Sequence, residues 1–304
     1  MGSKKLILNC DDFGQSRAAN EAIICLLEEK LVSSATIMAP APAFSEAAAW
    51  CRRTGAVNIG AHLTFTSEFP GYRWGSLTGG RSLQDAEGYL HLTVEAFERR
   101  VDARELRTEM RAQFDAIREA GIPVSHADNH MGSLFGLATG RSFLPMALRE
   151  CSRRRLPYRL FRRIWEQDQF LASIPGAQGI LDKVLVLADA LNVPVPDYLV
   201  SHSYHAEPGE TYDSFKEMMI RKLYALPEGI VETYIHPAVP DPAMAAIIPS
   251  WEKREWEFLL PQDADFRYAI RDAGIELTTY AEVDRVQRQP RLRSWCRLWR
   301  LLGK

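Results

Sequence analysis

Short apolar runs alternate along this chain with longer stretches of helical period. Leu6-Ile7-Leu8 anchors the first run and predicts a strand over residues 5–10. The spacing that follows predicts a helix over 16–30, with Ser16 as its N-cap. Strands are then predicted at 34–38 and 58–63, with a helix at 45–53 between them. Residues 64–91 show no period. They hold Gly71, Gly75, Gly79, Gly80 and Gly88 among Phe69, Tyr72, Trp74 and Tyr89, and a loop of that length is usually functional or mobile. Residues 99–119 give the clearest helical pattern, stopped by Gly121-Ile122-Pro123 ahead of a strand at 124–127. Further strands are expected at 158–161, 198–201, 230–235 and 275–277. Helices are expected at 142–153, 180–191, 211–226 and 252–273. Such alternation means parallel strands joined by crossover helices. Seven or eight units predict an α/β fold, a single irregular (β/α) TIM-like barrel spanning residues 1–285.

Residues 286–304 break the pattern. Arg288, Arg291, Arg293, Arg297, Arg300 and Lys304 make the tail basic, and Leu292, Trp295, Trp299 and Leu302 fall on one helical face. Two readings stay open: a terminal helix packed on the barrel, or a basic amphipathic helix lying on an anionic membrane or a partner.

Composition narrows the classes. The 304 residues are 46% hydrophobic and 25% charged, which is ordinary for a globular chain. A net charge of -2 gives no electrostatic reason to expect nucleic acid. Five cysteines, with no CxxC pair, argue against a disulfide framework and for a reducing cytosol. No apolar stretch approaches the roughly 20 residues that span a bilayer, and the chain enters a strand at once without a signal peptide. A cytoplasmic location is expected, with membrane association through the tail as a variant. Oligomeric state stays open, a homo-oligomer included.

The polar residues that matter sit where predicted strands end. Asn9-Cys10-Asp11-Asp12-Phe13-Gly14 follows the first run, His62 the third strand, and His126-Ala127-Asp128-Asn129-His130 the strand at 124–127. In α/β folds, ligands and chemistry gather at the C-terminal ends of strands. Adjacent carboxylates repel unless a cation holds one of them. With a metal on Asp12, Asp11 is left free as a base. Two imidazoles and a carboxylate suit a divalent ion, Zn²⁺ first, with Mg²⁺, Mn²⁺, Co²⁺ and Ni²⁺ also compatible. His126, Asp128 and His130 share one face of an extended strand, so His126 or Asp128 could orient a ligand from behind. Glu232-Thr233-Tyr234-Ile235-His236-Pro237 places His236 at another strand end, where it could protonate a leaving amine. Phe69, Tyr72 and Trp74 are candidates to stack on sugar faces, and Glu232 to meet substrate or orient a neighbour. The Ser201-His202-Ser203-Tyr204-His205 segment reads as a polar loop or a substrate wall.

Four segments carry a resemblance. Leu8-Asn9-Cys10-Asp11-Asp12-Phe13-Gly14, Gly60-Ala61-His62-Leu63-Thr64, Ser125-His126-Ala127-Asp128-Asn129-His130-Met131-Gly132 and Ile235-His236-Pro237 are similar, in order, to those of the YdjC-like carbohydrate deacetylases. Gly71-Tyr72-Arg73-Trp74-Gly75 resembles a segment found in part of that family. The resemblance implies a barrel that holds one divalent metal on Asp12, His62 and His130. It implies removal of acetyl from an N-acetylated amino sugar or oligosaccharide, with Asp11 as base and His236 as acid. Two residues depart from the family pattern. Ala238 stands where Gly often follows His-Pro, and Cys10 stands where Ala often precedes Asp11, which puts a thiol close to the expected metal. Two other functions are weighed beside this one: hydrolysis of a lipid-linked or natural-product sugar intermediate, motivated by the tail, and non-catalytic carbohydrate binding at a degenerate metal site.

Overall fold

The computed structural model describes residues 3–168 and 177–288. The first apolar run becomes strand β1 (Lys4–Phe13). After it come β2 (Ser34–Ile37), β3 (Ile59–Leu63), β4 (Val124–Asn129), β5 (Tyr198–Val200), β6 (Gly229–Ile235) and β7 (Ile275–Leu277). All pair in parallel in the order β4-β3-β2-β1-β6-β5, with β7 also on β1. β7 takes the start of one β1 edge and β2 takes its end: Lys4 to Leu6 pair with β7, and Asn9 to Phe13 with β2.

The strand expected at 158–161 does not form. Single bridges from Ala127 to Tyr158 and from Arg163 to Tyr198 stand in its place, between β4 and β5. Pro157 has no N–H to offer a ladder. The Leu160 N–H turns back onto the Tyr158 carbonyl at 2.8 Å. The two edge strands are thus linked through an irregular segment, and the sheet curls into a barrel-like α/β fold with seven regular strands among the described residues.

Two predicted helices are divided. Asp102 accepts from the N–H groups of Arg104 and Glu105, so 99–119 splits into Val94–Arg100 and Ala103–Glu119. Pro261 and the capping carboxylate of Asp263 split 252–273 into Trp251–Leu259 and Ala264–Asp272. The helix Tyr280–Gln287 runs through the expected boundary at residue 285. Arg288 donates to the backbone carbonyls of Asn192 and Arg155. The rest of the basic tail, residues 289–304, lies outside the described residues. No helix among the described residues is long and apolar enough to cross a membrane.

Alternation along β1 sorts its side chains. Leu6, Leu8 and Cys10 join the large apolar core under the helices, while Ile7 faces the other way onto Ile230, Tyr280 and Val283. Asn9 and Asp11 share the face of Ile7, inside the curl. The helix Tyr280–Gln287 closes the end of the interior nearest the strand N-termini, its Tyr280 ring stacked 3.9 Å from that of His126. Gly60 leaves room for this stack, because a Cβ there would lie 2.6 Å from the His126 ring and 2.7 Å from Thr36 Cγ2. Gly60→Ala should therefore destabilise the fold by about 1–3 kcal/mol through overpacking. The urea midpoint would read this, and an unchanged midpoint would refute the crowding.

Candidate active site

Regular strand geometry would send Asp11 and Asp12 to opposite faces. The chain avoids this with a bulge. The register of β1 slips between Cys10 and Phe13, and Asp12 adopts a left-handed φ of 65°. Such a backbone costs about 1–3 kcal/mol and gathers at functional sites. Both carboxylates now line one cavity. Cys10 remains on the outer face, and burial pushes its thiol well above the usual range. It belongs to neither group of residues able to hold a metal, so the expected thiol beside the ion is corrected: strand alternation turns Cys10 into the core.

Asp12 Oδ1 is buried and accepts no hydrogen bond. It faces His62 Nε2 at 3.4 Å and His130 Nδ1 at 3.3 Å. The far nitrogen of each imidazole is already engaged. His62 Nδ1–H donates to Asp128 Oδ1 at 2.7 Å, and His130 Nε2–H to Glu68 Oε2 at 2.9 Å. These second contacts fix each ring and leave its other nitrogen facing Asp12. Burial disfavours a charged His62, yet Asp128 and Asp12 outweigh it and push the imidazole up to about 10. His130 is likewise buried, and Glu68 and Asp12 raise it to about 9. A second set, Asp11, His62 and Asp128, also lies within ligand range, but its members are already committed to one another and to Arg159. The donor set of Asp12, His62 and His130 fits a divalent ion: a carboxylate oxygen with no partner and two oriented imidazoles converge.

Beneath the cavity the interior is a closed polar network. Arg159 donates to both oxygens of Asp11 at 2.6 and 2.7 Å, to Glu232 Oε1 at 2.8 Å, and lies 2.9 Å from Asp128 Oδ2. Burial opposes the Asp11 charge, but Arg159 and then His62 overcome it and bring the carboxyl down to about 2. Thr36 accepts from Asn9 at 3.1 Å and donates to Asp128 at 3.0 Å. Glu232 accepts from the Tyr280 hydroxyl, and burial lifts its carboxyl to about 7 against the pull of Arg159. Burial drives His126 down to about 3, so its ring is neutral. Neither His126 nor Glu232 lines the cavity. The expectation that Glu232 meets substrate is corrected, because the Tyr280 hydroxyl holds it below the floor, where the same ring stacks on His126.

The helix Trp251–Leu259 supplies two further residues. Arg254 Nη2 donates to Asp12 Oδ2 at 2.8 Å. Glu257 accepts from the His236 backbone N–H at 2.6 Å, lies 3.6 Å from His236 Nδ1, and accepts from His202 Nε2 at 2.6 Å. The opposite nitrogen of His236 comes within 4.0 Å of Asp11 Oδ2. Ala238, where the family often has Gly, is buried under this helix and donates to the Arg254 carbonyl at 3.1 Å. Its φ is not positive, so nothing at that position requires glycine. Sequence reasoning missed Glu68, Arg159, Arg254 and Glu257. Arg254 and Glu257, three apart on an amphipathic helix, were the only ones with a periodic signal.

The cavity has a volume of about 590 Å³ and opens at the C-terminal ends of the strands. Its walls include Phe69, Met131, Phe135, Leu199, Tyr204 and Tyr234, and His202 and His205 reach it from the polar loop. Tyr72 and Trp74 do not. Trp74 is 3% exposed, donates to the Thr66 carbonyl at 2.9 Å and flanks His130 from behind. The Tyr72 hydroxyl donates to the Gln15 carbonyl at 2.9 Å. Their expected role as sugar platforms is corrected: Trp74 is folded inward and the Tyr72 hydroxyl is tied to the backbone, so neither ring lines the cavity.

Comparison with known proteins follows this geometry. The pattern of the YdjC-like proteins matches residues 5–272. A carbohydrate deacetylase of Thermus thermophilus is 27% identical over 271 residues, 89% of this chain and 91% of that one. One from Brevibacillus brevis is 27% identical over 283 residues, 92% and 99% of the two chains. A crystal structure from Enterococcus faecalis, assigned provisionally to cellobiose-phosphate cleavage, superposes with a TM-score of 0.72 at 24% identity, covering 92% of this chain and 99% of that chain. This last likeness carries the fold alone. By the match over residues 5–272, the chain belongs to the YdjC-like family.

Proposed function

We propose that this chain is a metal-dependent carbohydrate deacetylase, releasing acetate from an N-acetylated amino sugar or oligosaccharide by attack of water on the amide. One observation carries the reading: the partnerless Oδ1 of Asp12 meets two imidazole nitrogens whose other sides are fixed by Asp128 and Glu68. The relatives named carbohydrate deacetylase support the substrate class. A divalent ion held by Asp12, His62 and His130, Zn²⁺ being the best match to this donor set, would acidify water and polarise a carbonyl oxygen.

The chain's own groups take the remaining roles. Asp11 is the base. Arg159 fixes both of its oxygens and keeps it ionised at any working pH. The same clasp makes Asp11 a weak base, so it suits a proton from water that is already acidified. His236 is the acid. Glu257 holds its backbone and the Nδ1 side of its ring, which turns Nε2 toward Asp11 and the cavity. Acid and base therefore stand 4.0 Å apart, so a proton taken from water can be matched by one given to the amine. The lipid-linked reading rests on residues outside those described, and no observation among the described residues favours it.

The test is acetate release from a panel of N-acetylated sugars by metal-stripped protein, with single metals added back. Metal-dependent release is expected. Silence across the panel with metal bound would sink the deacetylase reading and favour sugar binding alone. Asp11→Asn should keep its metal and lose about 10²–10⁴-fold in turnover, and near-full activity would remove Asp11 as base. His130→Ala should lose the ion, which elemental analysis reads directly.

Proton release gives a separate check. With His62 near 10 and His130 near 9, both imidazoles carry protons at pH 7 when no ion is bound. The ion needs the neutral rings, so binding should release up to two protons and weaken as pH falls. Calorimetry in buffers of different ionisation enthalpy measures the number. A heat independent of buffer would contradict the raised values.

A further inference from the structure

The two oxygens of Asp12 have different surroundings. Oδ1 is bare and faces the imidazoles. Oδ2 accepts from Arg254 Nη2 at 2.8 Å and from Gln15 Nε2 at 3.1 Å. Arg254 is 2% exposed. Its Nε and Nη2 also donate to the hydroxyl of Tyr204, a residue of the cavity wall, and its guanidinium lies near the rings of Tyr204 and Trp251. The guanidinium is thus locked on both sides and cannot leave Asp12 without breaking these contacts. A fixed positive charge this close to a ligand carboxylate draws off electron density and lowers its strength as a donor. Metal affinity by itself does not account for the arrangement.

We infer that Arg254 is a positioning residue that withholds Oδ2, restricting Asp12 to a one-oxygen ligand and keeping coordination positions open for water and substrate. The inference rests on the metal-site reading above. Carboxylates bind ions through one oxygen or two, and an Asp12 free to rotate would fill a position that the reaction needs. Gln15 helps, but it is neutral and its contact is longer. Tyr204 extends the restraint to the cavity wall, so a sugar in the cavity touches the same side chain that anchors the guanidinium.

Cobalt is a suitable probe, since Co²⁺ absorbs visible light less strongly as its coordination number rises. Arg254→Met keeps the apolar stem and removes every donor. Full-length Arg254→Met protein is expected to bind Co²⁺ at least as tightly as wild type, to absorb more weakly per bound ion, and to lose about 10–100-fold in kcat with little change in KM. A merely structural role predicts weaker Co²⁺ uptake with an unchanged spectrum per ion, and that result would overturn the inference. A crystal structure of the metal-loaded wild type decides the matter without the variant. One Asp12 oxygen within about 2.2 Å of the ion is expected, with the other still on Arg254, whereas two bound oxygens would overturn it. Failure of wild-type protein to take up Co²⁺ at all would overturn the metal-site reading itself, and this inference with it.

Discussion

Arg159 enters the barrel from a segment that forms no regular strand, and its guanidinium meets Asp11, Asp128 and Glu232 there, from β1, β4 and β6. The site is organised around this buried cation. It fixes the proposed base directly, and it holds Asp128, which orients His62. One cation cannot neutralise the whole interior. Asp11, Asp12, Asp128, Glu68 and Glu257 all approach the cavity or its floor, and Arg159 and Arg254 are the guanidiniums that answer them. Buried charge left unbalanced is expensive. The deficit falls on His62 and His130, which explains why both are driven to hold protons when no ion is present. A divalent ion would replace two protons and leave the same charge, so the fold can exchange one for the other.

The irregular segment at 158–163 is the cost of bringing that cation in. A regular strand would have paired its backbone on both sides and sent alternate residues outward. Here Arg159 is drawn to the centre and pairing shrinks to single bridges, although its N–H still reaches the Ala127 carbonyl at 2.8 Å. The cation–π contact of Arg159 with Tyr234, 4.8 Å from the ring centroid, caps the guanidinium on the cavity side. Packing, charge and the missing strand are therefore one adjustment.

Much of this site was legible in the sequence because its residues sit at strand ends, which hydrophobic runs mark well. Asp11, Asp12, His62, His130 and His236 come together as the run-and-cluster pattern suggested. What could not be read was conformational or distant. Nothing in Cys10-Asp11-Asp12-Phe13 announces the left-handed residue that turns Asp12 toward its neighbour's side. Arg159 looked like part of an apolar strand, and Glu68 lay in a loop without period. Arg254 and Glu257 belong to a helix that periodicity ran through Pro261 into the next one, hiding the short rigid piece that leans over the site. Tyr72 and Trp74 misled for a simpler reason: aromatic residues in a glycine-rich loop look exposed, but a long loop needs its own small core.

The distribution of unfavourable features argues for function independently of any relative. Most of the interior obeys the rule that buried polar groups find partners, as Asn9, Thr36, Asp128 and Glu232 do. Asp12 combines three exceptions. It holds a strained backbone, a buried oxygen without a partner, and two imidazoles crowded against that oxygen. A fold under selection for stability alone would shed each of these, since most single replacements could relieve at least one. All three persist together at this one residue, and further unpartnered atoms of His202, His236 and Arg254 lie around it. Strain and an unpaired buried oxygen combined at one residue mark a candidate functional site, and a carboxylate oxygen facing two imidazole nitrogens is a donor set that could hold a metal ion.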